Sequence, residues 1–181
     1  MQSVGFIGGG RVSRIIIEAW KKNGTLPDKV VVSDTNAVTL EKLHNAYPGI
    51  TTLLNENAEA ARQDFVFVAV HPPAAGDVLG TVKTAIRKDA ILVSLMPKVT
   101  IKSIEGLLGG FNRIARVIPN APAIVQEGYN PLAFAPALGK SGRACVLSIL
   151  APLGRCPEVK EETLEAYAIL SAMGPTYLWF Q

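Results

Sequence analysis

The first 20 residues form a unit of strand, turn and helix, and this unit constrains the fold more than any other feature. An apolar run at residues 3–7 leads into three glycines at residues 8–10, and an amphipathic segment follows. Gly8 permits a tight turn, and Gly10 lets the backbone approach a ligand because no Cβ stands in the way. The N-terminus of the following helix offers free N–H groups and the positive end of its dipole to an anion. The unit therefore predicts a binding site for the pyrophosphate of a dinucleotide.

The spacing of small residues in this turn follows the pattern of dinucleotide sites with one departure. The third position of the pattern is usually Gly or Ala, because the helix packs closely on the strand there, and in this chain it is Ser13. Serine is small enough for the same packing. A glycine turn before a helix can also be purely structural, but its place between an apolar run and an amphipathic segment favours cofactor binding. The cofactor-binding candidates in this unit are Gly8, Gly10, Arg11, Val12 and Ser13.

Composition limits the class of protein. Apolar residues make up 49% of the 181 residues and charged residues 18%, which predicts a globular chain with enough apolar surface for a buried interface. The net charge of +3 is small and dispersed, which argues against nucleic-acid binding. Neither Cys145 nor Cys156 has metal-type spacing, so two free thiols in a reducing compartment are expected. No apolar stretch reaches the roughly 18 residues of a membrane span, and an early first strand leaves no room for a signal peptide, so we expect a cytoplasmic protein.

Beyond the opening unit, apolar runs alternate with amphipathic segments, which is typical of a parallel sheet covered on both faces. The strongest strand signal is the apolar run at residues 64–70, which ends at His71 and Pro72 because proline cannot extend a ladder. The sequence therefore predicts an α/β fold with a Rossmann-type, doubly wound and mostly parallel sheet. The other predicted strands are residues 29–33, 51–54, 90–95, 113–118 and 131–135, with an edge strand at 158–159. The predicted helices are residues 37–46, 57–62, a helix ending at Arg87, 101–108, 140–150 and 161–173.

The end of the chain has a different character. A helical segment at residues 161–173 is followed by Gly174 and Pro175 and then by the apolar, aromatic residues 176–181. Such an ending is expected to continue into a packed helix. We therefore expect residues 1–160 to form the dinucleotide-binding domain and residues 161–181 to begin an all-helical dimerisation and substrate domain, which is truncated or lies beyond this sequence.

Several motifs along the chain match one family. They lie at residues 4–10, 57–60, 64–72, 93–94, 127–128 and 170–177, and with one further block they cover nearly the whole chain. That block is the most distinctive and reads Arg116-Val117-Ile118-Pro119-Asn120-Ala121-Pro122-Ala123. With these motifs the chain resembles the pyrroline-5-carboxylate reductases and, more broadly, the coenzyme F420-dependent NADP oxidoreductase-like superfamily that shares their N-terminal cofactor domain.

The resemblance implies an activity, a partner and a set of site residues. It implies a reductase that passes a hydride from NADPH or NADH to the carbon of a small cyclic imine, most simply pyrroline-5-carboxylate in proline biosynthesis. It also implies a homodimer that forms through the helical domain. Residues 8–13 would hold the pyrophosphate, and Asn57 would approach the adenosine ribose. The other implied cofactor contacts are Ala69, Val70, His71 and Pro72 beside the dinucleotide, and Ser94, Asn120 and Pro122 near the nicotinamide.

Asp34 bears on the choice between NAD and NADP. It ends the second predicted strand, where a carboxylate can accept a hydrogen bond from the ribose 2′-hydroxyl and favour NAD. The alternative is that Asp34 caps the following helix. The next three residues offer no Arg or Lys for a 2′-phosphate, whereas the resembled family commonly uses NADPH. The sequence therefore predicts NADP or NAD without choosing between them.

Departures from the family pattern lie where the substrate would bind. His71 replaces a lysine, and bulky residues at 96–98 replace a small, flexible turn. Residues 172 and 173 replace a glycine and a serine in a loop that grips a carboxylate in the family. No catalytic residue is assigned on this basis, and the candidates are Ser171 and Thr176. Two other functions stay open: another oxidoreductase, such as one that passes hydride between NADP and a deazaflavin, and a catalytically inactive dinucleotide-binding relative.

Overall fold

Strands and helices alternate along residues 2–173, which are the part of the chain that this computed structural model describes. The strands are β1 (Ser3–Ile7), β2 (Lys29–Asp34), β3 (Thr51–Leu54), β4 (Phe65–Val68), β5 (Ile91–Ser94), β6 (Ile114–Val117), β7 (Gly128–Tyr129), β8 (Leu132–Phe134) and β9 (Gly154–Arg155). The α-helices are α1 (Arg11–Lys22), α2 (Ala37–Ala46), α3 (Asn57–Ala61), α4 (Ala75–Val82), α5 (Ile101–Leu107), α6 (Lys140–Leu150) and α7 (Leu164–Tyr167). Short 3-10 turns lie at Pro72–Ala74, Ala121–Val125, Ala151–Leu153 and Glu161–Thr163, and a π-helical segment spans Ala168–Met173.

Seven of these strands form one sheet in the order β3-β2-β1-β4-β5-β6-β8. The pairs from β3 to β6 are all parallel, and β8 joins the edge antiparallel to β6. The strand order reverses at β1, which lies between β2 and β4, so the carboxyl ends of these strands border a crevice where ligands bind in such sheets. The predicted Rossmann-type, mostly parallel sheet is therefore confirmed.

Both faces of the sheet are covered, as the unbroken apolar strands require. All four residues of β4 are buried, and so are the four residues of β5. On one face an aromatic cluster packs under α1, in which the Phe6 and Phe67 rings stack 4.9 Å apart and Trp20 meets the Phe67 ring edge-on at 5.8 Å. The indole Nε1 of Trp20 donates to the carbonyl of Ile149 at 2.8 Å, so its polar atom is also satisfied.

Two sequence-based expectations about local structure were wrong. The helix expected to reach Arg87 ends at Val82, where the N–H groups of Ala85 and Ile86 turn back to the Val82 carbonyl. The expected edge strand at residues 158–159 is reduced to a single bridge between Glu158 and Leu132, because the preceding Pro157 has no N–H to extend a ladder. In its place β9 forms a small parallel pair with β7.

The predicted helical segment at the end of the described chain is confirmed in a less regular form. It begins as the 3-10 turn Glu161–Thr163, continues as α7 and ends in the π-helical segment. Thr176 and the aromatic residues at the end of the sequence lie outside the described residues. The division into domains at residues 160 and 161 stays a prediction.

Two further observations concern the cysteines and the length of the apolar helices. Both cysteines are free, as expected, and burial raises the pKa of the Cys156 thiol to about 11. None of the helices within residues 2–173 is long and apolar enough to cross a membrane.

Candidate functional site

The glycine turn after β1 has a backbone that only glycine fits. Gly8 has a φ of +99°, and a Cβ on it would lie 2.5 Å from the carbonyl oxygen of Ala69. Its N–H donates to the Ser33 carbonyl at 2.8 Å, which ties the turn to β2. The turn is therefore fixed between the ends of two neighbouring strands, and any larger residue at Gly8 would displace it.

The N-terminus of α1 follows this turn and is open to a ligand. Gly10 is the N-cap residue, no side chain of the described chain caps the helix, and a Cβ on Gly10 would meet nothing within 4 Å. Ser13 is completely buried, and its hydroxyl donates to the Gly8 carbonyl at 2.6 Å. Ser13, at the third position of the pattern, thus stabilises the turn through its hydroxyl. The N–H groups of Arg11 and Val12 lie in the first turn of α1, where they can donate to an anion bound at the helix N-terminus.

Asp34 holds the glycine turn from the neighbouring strand end. Its Oδ2 accepts the N–H of Gly9 at 2.7 Å, and its Oδ1 accepts the N–H of Asn36 at 2.8 Å. The alternative that Asp34 caps α2 was wrong, because the side chain of Asn36 accepts from Val38 and Thr39 and is the cap. Asn36 occupies the N-cap position itself, two residues closer to the helix than Asp34, so its side-chain oxygen reaches the N–H groups of the first turn.

Asn57 and the end of β4 lie around the same turn. The Oδ1 of Asn57 accepts the hydroxyl of the buried Ser33 at 2.8 Å, which places Asn57 beside the end of β2. Ala69 and Val70 follow β4 and contact the turn: the Ala69 N–H donates to the Ile7 carbonyl at 2.8 Å. His71 is exposed and starts the 3-10 turn that contains Pro72. The structure thus brings the candidates from β1, β2 and β4 together.

Of the remaining implied cofactor contacts, two are buried and the third, Pro122, is exposed. Ser94 is 1% exposed, and its hydroxyl accepts the N–H of Met96 at 3.3 Å. Asn120 is buried, with both ends of its amide hydrogen-bonded to protein backbone. Pro122 is exposed on the 3-10 turn that packs beside α1. Whether these three contact a nicotinamide stays a prediction.

A cavity of about 480 Å³ opens beside the glycine turn, between α1 and α2. Glu18 contributes an acidic group to it, but the Tyr47 hydroxyl already donates to that carboxylate at 2.6 Å. Burial, followed by this hydrogen bond, raises the pKa of Tyr47 to about 12, so the phenol stays neutral at ordinary pH. The basic side chains that line the cavity are Arg11, Arg14 and Lys42.

These three cations have no carboxylate partner among residues 2–173. Glu18 is also 3.8 Å from Lys22, so its charge is shared with a residue outside the cavity. The cavity therefore has an excess of positive charge directly next to Gly9 and Gly10, and it suits an anionic group.

Of the two catalytic candidates, the structure describes one. The Ser171 hydroxyl donates to the Tyr167 carbonyl at 2.7 Å, one helical turn earlier, so in this conformation it is used within its own helix. Thr176 lies outside the described residues. Within residues 2–173 no group of three His, Cys, Asp or Glu side chains is arranged to hold a metal ion.

Sequence reasoning missed several residues that shape this end of the sheet. Gly9 and Ser33 contribute through backbone and buried hydroxyl groups, for which the sequence carries no distinct signal. Arg116 could have been recognised from the sequence, because it is a charged residue inside an otherwise apolar strand. Its partners, Glu161 and Glu165, lie four residues apart, and this spacing predicts that they share one face of a helix.

The part of the chain that forms this site matches a known family. A family model described as NADP oxidoreductase, coenzyme F420-dependent, matches residues 3–98, which include the glycine turn and the strands through β5. The chain belongs to this family. The sequence-based resemblance is therefore confirmed, and the glycine turn, Asp34 and the end of β4 all fall inside the matched region of the coenzyme F420-dependent NADP oxidoreductase family.

Individual relatives of this family member cover the rest of the described chain. Pyrroline-5-carboxylate reductase from Haemophilus influenzae is 28% identical over 178 residues, which are 98% of this chain and 64% of that protein. The structure of a pyrroline-5-carboxylate reductase from Coxiella burnetii is 30% identical with a TM-score of 0.88, over 99% of this chain and 67% of that one. A Plasmodium falciparum pyrroline carboxylate reductase with NADP bound shares the fold at 23% identity and a TM-score of 0.84, over 99% of this chain and 65% of that one.

These relatives agree with the expectation of an NAD(P)-dependent oxidoreductase, which is the class to which the family and its named relatives belong. The chain spans 64% of the length of the Haemophilus influenzae relative.

Proposed function

We propose that this protein is an NADPH-dependent reductase of a small cyclic imine, with 1-pyrroline-5-carboxylate as its substrate. The observation that carries the proposal is the glycine turn, where Gly8 has no room for a Cβ, Gly10 has open space and no side chain within residues 2–173 caps the N-terminus of α1. The names of the relatives supply the substrate, because the Haemophilus influenzae and Coxiella burnetii proteins, which match 98% and 99% of the chain, are pyrroline-5-carboxylate reductases.

The residues present fit a dinucleotide at this position. The N–H groups at the start of α1 would bind the pyrophosphate, with Asp34 holding Gly9 in place and Ser13 holding Gly8. Ala69 and Val70 would lie along the dinucleotide as it crosses the end of β4. When bound, NADPH supplies a hydride to the imine carbon, and a proton adds to the ring nitrogen. The contribution of the protein is to hold the two reactants in register and to exclude water.

The charges around the site favour NADP over NAD. Both oxygens of the Asp34 carboxylate already accept backbone N–H groups, which leaves fewer lone pairs for a ribose 2′-hydroxyl. The cavity next to Gly9 and Gly10 holds Arg11, Arg14 and Lys42 without carboxylate partners in the described chain. A phosphate carries about two negative charges near neutral pH, so a 2′-phosphate would satisfy these cations.

The activity is tested by following NADPH absorbance with 1-pyrroline-5-carboxylate and measuring proline as the product. We expect one proline for each NADPH oxidised. Calorimetric titration with NADP⁺ accompanies the assay and separates binding from turnover. NADP⁺ binding without reduction of the imine would favour a dinucleotide-binding relative or an oxidoreductase with another substrate. Absence of binding would refute the proposal at its first step.

The cofactor preference is tested with the double variant Arg14→Gln, Lys42→Gln, which removes two cations from the cavity and leaves the glycine turn intact. We expect the affinity for NADP⁺ to fall about tenfold, or ~1.4 kcal/mol, and the affinity for NAD⁺ to change less than about twofold. Lys88→Gln is the matched control, because Lys88 is exposed and lies away from this cavity. Equal losses for both dinucleotides would contradict a 2′-phosphate site.

We also infer that the protein is a cytoplasmic homodimer. The last described helical segment exposes two large apolar side chains, Ile169 at 60% and Leu170 at 71%, which suit a surface that another helix covers. Free cysteines agree with a reducing compartment. Sedimentation equilibrium is expected to give twice the mass of one chain, and a monomer at micromolar concentration would refute the dimer.

A further inference from the structure

Arg116 is a charged residue in the middle of a buried strand. It lies on β6, paired with Ser94 of β5 and Ala133 of β8, and it is 1% exposed. A buried guanidinium is costly unless its charge is paired and its N–H groups are bonded. The groups that contact Arg116 therefore determine whether β6 can keep this residue.

Two carboxylates from the C-terminal segment supply that pairing. The guanidinium Nη1 donates to Oε1 of Glu161 at 2.9 Å, and Nη2 donates to Oε1 of Glu165 at 2.7 Å. The same carboxylate oxygens accept backbone N–H groups from the loop after β5, from Ile101 at 2.7 Å and from Lys98 at 2.8 Å. One buried cation thus joins the loop after β5 to the start of the segment at residues 161–173.

The two carboxylates lie on a helical face that also makes apolar contacts. Leu164 is three residues after Glu161 and one before Glu165, so all three lie on one side of the helix. The Leu164 side chain is completely buried in the same cluster as Ile114 and Ile118 of the sheet. Rotation of the segment about its axis would lose the ion pairs and the apolar contact together, so this face has one favoured position.

A second attachment lies four residues after Arg116. The Nδ2 of Asn120 donates to the carbonyl of Ser171 at 3.2 Å, and its Oδ1 accepts the N–H of Tyr129 at 3.1 Å. The rings of Tyr129 and Tyr167 lie 5.9 Å apart beside this contact. The segment at residues 161–173 is therefore held near both of its ends, and both holding side chains come from one short stretch of chain, Arg116 on β6 and Asn120 in the loop that follows it.

We propose that Arg116 and Asn120 are positioning residues that form a clasp for the segment at residues 161–173. The clasp consists of these two side chains, the carboxylates of Glu161 and Glu165, and the carbonyl of Ser171. It fixes the segment at the carboxyl end of β6, which is the end of the sheet where the glycine turn lies. For catalysis, the clasp would fix the distance between the segment at residues 161–173 and the dinucleotide. This consequence rests on the proposed function, whereas the clasp itself does not.

The clasp is tested by hydrogen–deuterium exchange of the whole chain with the double variant Glu161→Gln, Glu165→Gln. Glutamine keeps the size and the acceptor oxygens but removes the charge that compensates Arg116. We expect the amides of residues 161–173 to exchange about tenfold faster and those of β1 and α1 to change less than about twofold. The matched control is Glu158→Gln, which breaks an exposed ion pair with Arg143 and is expected to leave exchange in residues 161–173 unchanged.

The second arm is Asn120→Asp, which keeps the acceptor for Tyr129 but loses the donor to Ser171. We expect faster exchange confined to residues 168–173, with the start of the segment still protected. A uniform rise across the chain in either arm, or no rise in the segment, overturns the clasp and leaves Arg116 as an ordinary buried residue.

Activity and binding then separate a clasp from a general structural role. With 1-pyrroline-5-carboxylate as the probe, we expect the double variant to raise KM about tenfold, while the dissociation constant for NADPH changes less than about twofold. A matched loss of NADPH binding would contradict a positioning role. The exchange measurement needs no turnover, so it tests the clasp even where the imine is not reduced and the proposed function fails.

Discussion

Around Gly8 the decisive contacts are made by backbone atoms, whereas around Arg116 they are made by the ends of long side chains. The turn at Gly8 is held by the Ser33 carbonyl and lies against the Ala69 carbonyl, with no space for a Cβ. In the clasp, Glu161 and Glu165 contact the guanidinium of Arg116, although they follow it by 45 and 49 residues in the sequence. Both regions lie toward the carboxyl ends of the parallel strands, so the same edge of the sheet is stabilised in two different ways.

Because of this difference, the two regions are expected to tolerate amino-acid substitutions differently. At Gly8 no other residue fits the turn, because the atoms of a side chain would clash with carbonyl groups that the sheet holds in place. A clasp built from a buried ion pair can be replaced as a set, because apolar residues of similar volume often substitute for such a pair without loss of stability. Removing one member alone leaves charge uncompensated, and that change is expected to be the most damaging.

The largest effect is expected for Arg116→Leu. Loss of the guanidinium leaves two partly buried carboxylates without a cation, and we expect the free energy of unfolding to fall by about 4 kcal/mol. Urea denaturation followed by circular dichroism measures it. The triple variant Arg116→Leu, Glu161→Gln, Glu165→Gln is expected to recover more than half of the loss. Arg143→Leu, at an exposed pair, is expected to cost less than about 1 kcal/mol, and an equal cost at both arginines would remove the distinction.

The next effect separates the two glycines of the turn. Gly8→Ala is expected to lower the free energy of unfolding by about 3 kcal/mol, because a left-handed φ and a close carbonyl both oppose a Cβ. Gly10→Ala has an ordinary φ of −69° and open space, so it is expected to change stability by less than about 1 kcal/mol. Calorimetric titration with NADPH should show both variants impaired. Full NADPH affinity in a stable Gly10→Ala protein would mean that the dinucleotide does not approach this turn.

The smallest effect concerns side-chain contacts at the amino ends of β1 and β4, at the opposite end of these strands from the glycine turn. The N–H and hydroxyl of Ser3 and the cation of Arg87 hold the pKa of Asp64 below its usual range. A lowered folded-state pKa adds stability above the unfolded value near 4, and that stability is lost as the pH falls through the folded value. The stability difference between wild type and Asp64→Asn, measured by urea denaturation, is therefore expected to be constant from about pH 7 to 5 and to shrink below about pH 4. A stability difference that grows as the pH falls below about 4 would contradict a lowered pKa of Asp64 in the folded state.

The sheet could be predicted from the sequence because its signals are local. Continuous apolar runs marked β4 and β5, and helix α2 begins and ends where its periodicity predicted. The helix toward Arg87 was overestimated because the apolar pattern continues through residues that form turns rather than helix. The strand predicted at residues 158–159 is only a single bridge, because Pro157 has no N–H with which to extend the pairing.

The candidate site was predictable in position but only partly in its contacts. The turn at Gly8 and the brace at Ser13 follow from spacing, since strand, turn and helix lie within one short stretch. The partner of Asp34 did not follow, because a carboxylate at a strand end can cap a helix, bind a ribose or accept the N–H of Gly9, and the choice depends on loop geometry. The partners of Arg116 depend on the path of a distant segment, which no local pattern contains.

Trp20 is placed to act as an optical reporter of the proposed cofactor site. Its buried indole lies on the helix that starts at the glycine turn, roughly 15 Å along the axis from the first turn at the 1.5 Å rise per residue of an α-helix. Tryptophan emission overlaps the absorption of reduced but not oxidised nicotinamide, so the nicotinamide of NADPH bound at this turn is expected to accept the excitation of the indole. Quenching by NADPH and not by NADP⁺, compared between wild type and Trp20→Phe to subtract the share of Trp179, would let occupancy of the site be followed in real time without a label.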